Sequence, residues 1–309
     1  LSFERRNNLN KSENLINKTI KHIKINFTKY NFINFIVFIF AFFYLIILIK
    51  KNKYYKIHCR SYIPGLFAYL LNKLFKIKYI FDIRGFWPDE KKEGNYWKTI
   101  SFKYLFFKFI EKKLYRNSSS IITLTKNSIP IIKKKLDYKY NFIPINVIPT
   151  CVDIDHYYFV NKEINIKKIT FCYLGSVGGW YNFKKCLDFC EIFNKFYKCD
   201  LKIINHNQNN TIKELIFKHK ISFEHHILSL NHYNISKELD NVDFGIFFID
   251  PKPSKIASCP TKMGEFLSKG IYCITNNKIG DSKEILSKFN GGLVLDNLSN
   301  REISESAIE

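Results

Sequence analysis

Hydrophobic and polar positions change period along this chain, and the changes mark out its elements. From Ile33 to Ile49 it reads INFIVFIFAFFYLIILI, 17 residues broken only by Asn34. Spanning a bilayer takes roughly 20 such residues. Lysines stand on both sides, at Lys29, Lys50 and Lys51, so their placement gives no orientation. The run predicts a helix buried in a domain or dipped into a membrane interface, in preference to a spanning one. Next, YYKIHCRSY reads as a short strand ending at His58, GLFAYLLNKLFKI as a helix, and KYIFDIRGFWPDE as a second strand ending in a polar, charged loop. A long amphipathic helix from about Tyr96 to Tyr115, a strand SSIITLT, a short helix near Ile129 to Lys135 and the segment NVIPTCVD follow.

Asp153 to Asn165 reads as a linker, after which the alternation restarts. KKITFCYLGSVGGWY is a strand running into a glycine turn, followed by a helix Phe183 to Tyr197, a strand LKIINHN, a helix Thr211 to Lys218, a short strand near Ile227, a helix Ile235 to Leu239 and a strand DFGIFFI. Strands alternating with helices build parallel sheets. Two such series in 309 residues predict an α/β protein of two facing Rossmann-like domains, with the binding site in the cleft between them.

Composition narrows the partners. With 49 Lys+Arg against 27 Asp+Glu the formal charge is +22, which favours anionic partners: nucleic acid, acidic phospholipid or a phosphorylated small molecule. The lysines are scattered, and runs such as Lys50 to Lys53 and Lys133 to Lys135 read as solvated faces, so nucleic acid is not expected. The eight cysteines form no CxxC pair and no cluster with histidine; buried free thiols in a reducing cytosol fit them, and no metal is expected.

The stretch SCPTKMGEFLSKGIYCIT carries the most chemistry. Pro260 suits a first helical turn and Gly270 the position after the last, predicting a helix from Pro260 to Lys269. Lys262 and Glu265, three apart, share one face near its start. There the free N–H groups and the lysine attract phosphate, and a glutamate accepts hydrogen bonds from ribose or sugar hydroxyls. An exposed ion pair between the two would explain the same spacing.

The glycine turn places Gly175 and Ser176 directly after a strand, where backbone can approach a ligand. FDIRGFWPDE puts Asp82, Arg84, Asp89 and Glu90 at another strand end. Arg84 there can hold a phosphate or carboxylate bidentately, or pair with Asp82 to fix the loop. His58 and Arg60 end the preceding strand and can face the same cleft; His58 serves there as catalytic or as structural histidine.

In this order, IHCRSYIPG, FDIRGFWPDE, IITLT, VIPTCVD, YLGSVGGWY, CPTKMGEFLSKGIYCI and KIGD resemble the bacterial glycosyltransferase family 4, retaining transferases of the GT-B fold, over nearly the whole chain. The resemblance implies transfer of a sugar from a nucleotide diphosphate sugar without a metal or other cofactor. The donor would be held by Gly175, Ser176, Lys262 and Glu265, and the acceptor side, with the catalytic groups, would be formed by His58, Asp82 and Arg84. Many members carry two glutamates separated by seven residues; Glu265 matches the second, and Ala257 stands where the first would be.

Against the family the chain looks shortened at both ends. Residues 1–155 are therefore expected to form an acceptor-side domain incomplete at its start, and residues 166–309 a nucleotide-sugar domain lacking its closing helices. The expected protein is cytoplasmic and peripheral to the inner face of the membrane, acting on a glycan or lipid-linked acceptor in surface polysaccharide or glycolipid synthesis. Its basic surface and apolar helix would lie against anionic lipid. The alternative is a shortened, non-catalytic relative that binds sugar nucleotides or membrane.

Overall fold

The computed structural model describes residues 2–5, 24–27, 31–161 and 167–308. Strands β1 (Ser2–Arg5) and β2 (Lys24–Phe27) form a small parallel pair. The apolar run lies in helix α1 (Asn31–Asn52). It packs through Phe38 and Phe42 on Phe67, with ring centroids 5.9 and 5.7 Å apart, while Phe40 on its far side is 70% exposed. Among the described residues no helix is long and apolar enough to cross a membrane.

A four-stranded parallel sheet follows, with β3 (Lys56–Arg60), β4 (Lys78–Asp82), β5 (Ser120–Thr123) and β6 (Ile145–Val147) side by side in chain order. Between them run α2 (Tyr62–Phe75), α3 (Trp87–Glu93), α4 (Phe102–Asn117) and α5 (Ile129–Leu136). The segment WPDE is therefore helical, where a loop is predicted. Pro88 occupies the first turn and Asp89 and Glu90 sit there with it, where carboxylates favour the exposed N–H groups. The helix predicted from Tyr96 begins only at Phe102, because the Ser101 hydroxyl accepts the Tyr104 N–H at 3.3 Å and caps it there, and Asn95 takes a left-handed φ of 59° just upstream.

The second sheet holds β7 (Ile169–Leu174), β8 (Cys199–Asn205), β9 (Glu224–Ser229), β10 (Phe244–Ile246), β11 (Tyr272–Asn276) and β12 (Gly292–Leu295), all parallel. Its helices are α6 (Phe183–Phe193), α7 (Asn209–His219), α8 (His232–Glu238), α9 (Thr261–Ser268), α10 (Ser282–Phe289) and α11 (Asn300–Ile308). The order is β12-β11-β10-β7-β8-β9. Winding runs outward from β7 to β9 and then outward the other way from β10 to β12, so the chain reverses between β7 and β10. In doubly wound sheets that reversal opens a crevice at the carboxyl ends of the two strands, where ligands bind. Close packing of α9 over β10 depends on Gly245, whose missing Cβ would lie 2.3 Å from the Phe266 ring.

The predicted linker begins as a packed segment. Tyr157 is fully buried in the core of the second sheet with Met263, Phe266 and Leu239; residues 162–166 lie outside the described residues. The two sheets are joined directly. Asp281 accepts the backbone N–H groups of Lys126 and Asn127 at 2.6 and 3.0 Å, Asn127 donates to the Gly280 carbonyl at 3.0 Å, and Lys255 pairs with Glu90 at 3.2 Å. The KIGD segment thus makes inter-sheet contacts.

Candidate functional site

At the reversal, β7 ends and Gly175 turns the chain with φ +116°. Directly behind it stands Lys262, the second residue of α9. A β-carbon at Gly175 would lie 3.0 Å from the Lys262 ammonium, so the glycine leaves the room the lysine occupies. Lys262 is only 6% exposed. Among the described residues its ammonium has no hydrogen-bond partner, and it lies 4.0, 4.9 and 5.8 Å from the ring centroids of Tyr181, Tyr173 and Phe247. Ring faces attract a cation but replace little of its hydration. Burial accordingly pushes the lysine down to about 8.

Glu265, 8% exposed, sits one turn further along α9. No ion pair joins it to Lys262, so an exposed i,i+3 pair does not account for their spacing. Burial raises the Glu265 carboxyl; the Tyr157 hydroxyl, His232, Lys262 and His156 act against that by favouring its charged form. These groups form one cluster: the Tyr157 hydroxyl is 3.4 Å from His232 Nδ1, and His156 Nε2 is 3.4 Å from the His232 carbonyl. Tyr157, Tyr181, Phe247 and His232 escape sequence reasoning because they come from a linker, a glycine loop and two strand exits with no shared motif.

Ser176 is exposed on the loop, and its carbonyl accepts the Tyr173 hydroxyl at 2.7 Å. Gln208 braces the loop by accepting the Val177 N–H at 2.9 Å. Beyond it, Gly178 and Gly179 have φ of 83° and 63° with open space around them.

From the first sheet, Arg84 faces this region. It lines a cavity of about 230 Å³ together with Thr150, Trp180, Tyr181, Lys255 and Thr261, so the cavity reaches the tyrosine that covers Lys262. Arg84 makes no ion pair with Asp82 and so does not fix its loop that way. The Asp82 carboxylate keeps one oxygen, Oδ1, buried without a partner among the described residues, and the other lies 3.7 Å from His58 Nε2. His58 itself, with its side chain 56% exposed, lines a different groove between α1, β3 and α2. Asp82 and His58 are thus brought together, and Arg84 but not His58 borders the cavity beside Lys262.

Asp89 and Glu90 are structural: Asp89 binds Lys108 and Lys135 at 3.1 and 3.2 Å, and Glu90 binds Lys255. Ala257 is fully buried in the apolar cluster of the first sheet with Phe81 and Phe86. A carboxylate at that position would be stranded in an apolar contact. A larger cavity of about 530 Å³ lies at the amino ends of β7, β10 and β11, lined by Phe171, Phe189, Phe193 and Phe244. It is at the wrong end of the strands for the ligand of a doubly wound sheet.

Two parallel-sheet units of this order, facing each other across a cleft, define the GT-B fold. No known protein-family profile matches the chain, and no curated protein matches its sequence. Among solved structures it is similar to sucrose-phosphate synthase from Thermosynechococcus elongatus, with a TM-score of 0.66 and 12% identity, covering 94% of this chain and 74% of that one. Anabaena HepE in complex with UDP and glucose superposes with a TM-score of 0.65 and 10% identity over 93% of this chain and 75% of its own. The lipopolysaccharide outer core galactosyltransferase WaaB gives 0.61 and 16% over 94% and 77%.

Proposed function

We propose that this protein is a retaining glycosyltransferase of the family 4 type, which moves a sugar from a nucleotide diphosphate sugar to a glycan or lipid-linked acceptor in surface polysaccharide or glycolipid synthesis. The observation that carries the reading is Lys262: a buried cation, unpartnered among the described residues, at the start of a helix, behind a glycine turn, at the reversal point of a doubly wound sheet. Leaving such a charge unpaired is costly, and a diphosphate beside it would compensate both the ammonium and the free N–H groups of α9. Glu265 is placed to accept ribose hydroxyls. In the transition state the departing nucleoside diphosphate gathers charge at Lys262, the α9 N-terminus and the Gly175–Ser176 backbone, without need of a metal. Arg84 supplies the opposite wall, where the acceptor would lie, while the Asp82–His58 pair stands outside the cavity that Arg84 lines. HepE, of similar fold, was solved with UDP and glucose, which makes UDP the first probe.

The same reading places the chain at the cytoplasmic face of a membrane. The outward side of α1, with Phe40, Phe43 and Ile47, would rest in the interface, and Lys50 and Lys51 would meet anionic headgroups.

Calorimetric titration with UDP tests the donor site. Micromolar binding that Lys262→Ala weakens at least tenfold for UDP, and far less for uridine, supports it; equal losses for both ligands would reject it. Buried Ala257 favours one rival, a non-catalytic nucleotide-sugar binder. Release of UDP from UDP-sugar in the presence of glycan acceptors separates the two readings.

A further inference from the structure

We infer that Arg84, backed by Arg60, forms a second anion site on the cleft wall opposite Lys262, and that the sugar unit it holds, on donor or acceptor, carries a carboxylate or phosphate group. This rests on the glycosyltransferase reading and names the class of sugar within it.

The backbone at Arg84 is unusual. Strand β4 ends at Asp82, and Arg84 then takes φ 54°, followed by Gly85 at φ 130°. A β-carbon disfavours the left-handed region, and such residues persist where their surroundings force them. Here the Ile83 N–H donates to the Ile122 carbonyl at 3.0 Å, the Tyr62 hydroxyl donates to the Gly85 carbonyl at 3.4 Å, and Gly85 leaves only about a van der Waals distance, 3.4 Å, between its absent Cβ and Glu90 Oε1. The turn presents the Arg84 side chain to the cavity it shares with Thr150, Tyr181 and Thr261.

Arg84 has no ion pair or hydrogen bond among the described residues, although it is half-buried. A guanidinium offers five N–H donors in a planar fork that fits a carboxylate or phosphate. Its surroundings do not neutralise it. Arg60 pairs in register with Asp82 across β3 and β4, so Arg60, Asp82 and His58 share one face of the sheet. With Arg84 just beyond the end of β4, the fixed charges that act on this corner are two guanidinium groups against one carboxylate. Burial and Arg60 depress Arg84 more than Asp82 restores it. The nearest other cation of the cavity, Lys255, is already committed to Glu90 and lies over the Trp180 ring at 4.0 Å. An incoming anion therefore finds Arg84 uncommitted, in a cavity that Trp180 and Tyr181 also line.

Two calorimetric arms locate the anion. In the first, wild-type protein is titrated with UDP-glucuronate and with UDP-glucose; in the second, UDP-saturated protein is titrated with glucose 6-phosphate and with glucose. We expect the anionic partner to bind at least tenfold tighter in one arm, which assigns the charge to donor or acceptor. That ratio should collapse to within twofold in Arg84→Gln, return in part in Arg84→Lys, and shrink by an intermediate factor in Arg60→Gln. Comparing a ratio within each variant cancels any loss common to both ligands. No anionic preference in either arm, or a preference that survives Arg84→Gln, overturns the proposal. If UDP itself fails to bind, the donor reading falls. The Arg84 site is then decided by inorganic phosphate alone, through the shift of the Arg84 Nε–H resonance, with no shift counting against it.

Discussion

Gly175 and Lys262 belong to different elements, yet the β-carbon the glycine lacks would stand 3.0 Å from the lysine ammonium. The φ of +116° at Gly175 adds a second obstacle to any side chain. Gly175→Ala is expected to cost roughly 1–3 kcal/mol of stability through backbone strain and to weaken UDP binding in addition, by displacing Lys262. Differential scanning calorimetry and UDP titration read the two effects separately. An alanine variant with both values unchanged would mean that the glycine makes no room for the lysine.

Lys262 should be a stability liability. Its folded-state value, about 8, lies below the ordinary lysine value of 10.5, so the folded protein binds fewer protons than the unfolded chain between those limits. Stability from this group therefore rises as pH goes from about 8 to 10.5, and below that window the penalty is fully present. Lys262→Met should raise stability near pH 7 by on the order of 3 kcal/mol, flatten that rise, and abolish UDP binding. Chemical denaturation at pH 7 and pH 10 measures it.

The same value gives binding a pH dependence of opposite sense. A diphosphate favours the charged lysine, so UDP affinity should fall by up to tenfold per pH unit above about 8. Titrations in buffers of different ionisation enthalpy should show proton uptake near that pH. Affinity constant from pH 7 to 10 would remove Lys262 from the diphosphate site.

Tyr157 is expected to act through Glu265. Removing its hydroxyl takes away a group that favours the carboxylate, so Tyr157→Phe should raise Glu265 further, followed by carbon-13 carboxyl resonances. Glu265→Gln should weaken UDP binding by roughly 1–3 kcal/mol. It should leave the empty protein as stable or more so at pH 7. A carboxyl raised by burial lowers folded-state stability as pH climbs through its folded value, and glutamine carries no such charge.

The outward face of α1 predicts a membrane phenotype. The protein should float with anionic vesicles and be released by carbonate, and replacing Phe40, Phe43 and Ile47 by serine should abolish flotation. Resistance to carbonate with release only by detergent would point to a deeper insertion than this helix face implies.

What was legible in the sequence follows from local periodicity. The alternation of strand and helix announces two parallel-sheet units, because buried parallel strands read as apolar runs and their crossover helices carry a 3.6-residue stripe. Pro260 and Gly270 bound α9 closely, since a proline's fixed φ and a glycine's freedom act within one turn. That Lys262 and Glu265 share a face is likewise local geometry. Their burial is not: it depends on Tyr181, Tyr173 and Phe247, which reach Lys262 only after β7 and β10 pair, and on Tyr157 folding back from the linker. Local signals also misplace Asp89 and Glu90, which read as loop carboxylates until Lys108, Lys135 and Lys255 claim them. Sequence spacing alone limits which side chains can share a helix face; only the assembled sheets decided which charge would be left buried without a partner, because desolvation depends on neighbours far apart in the chain.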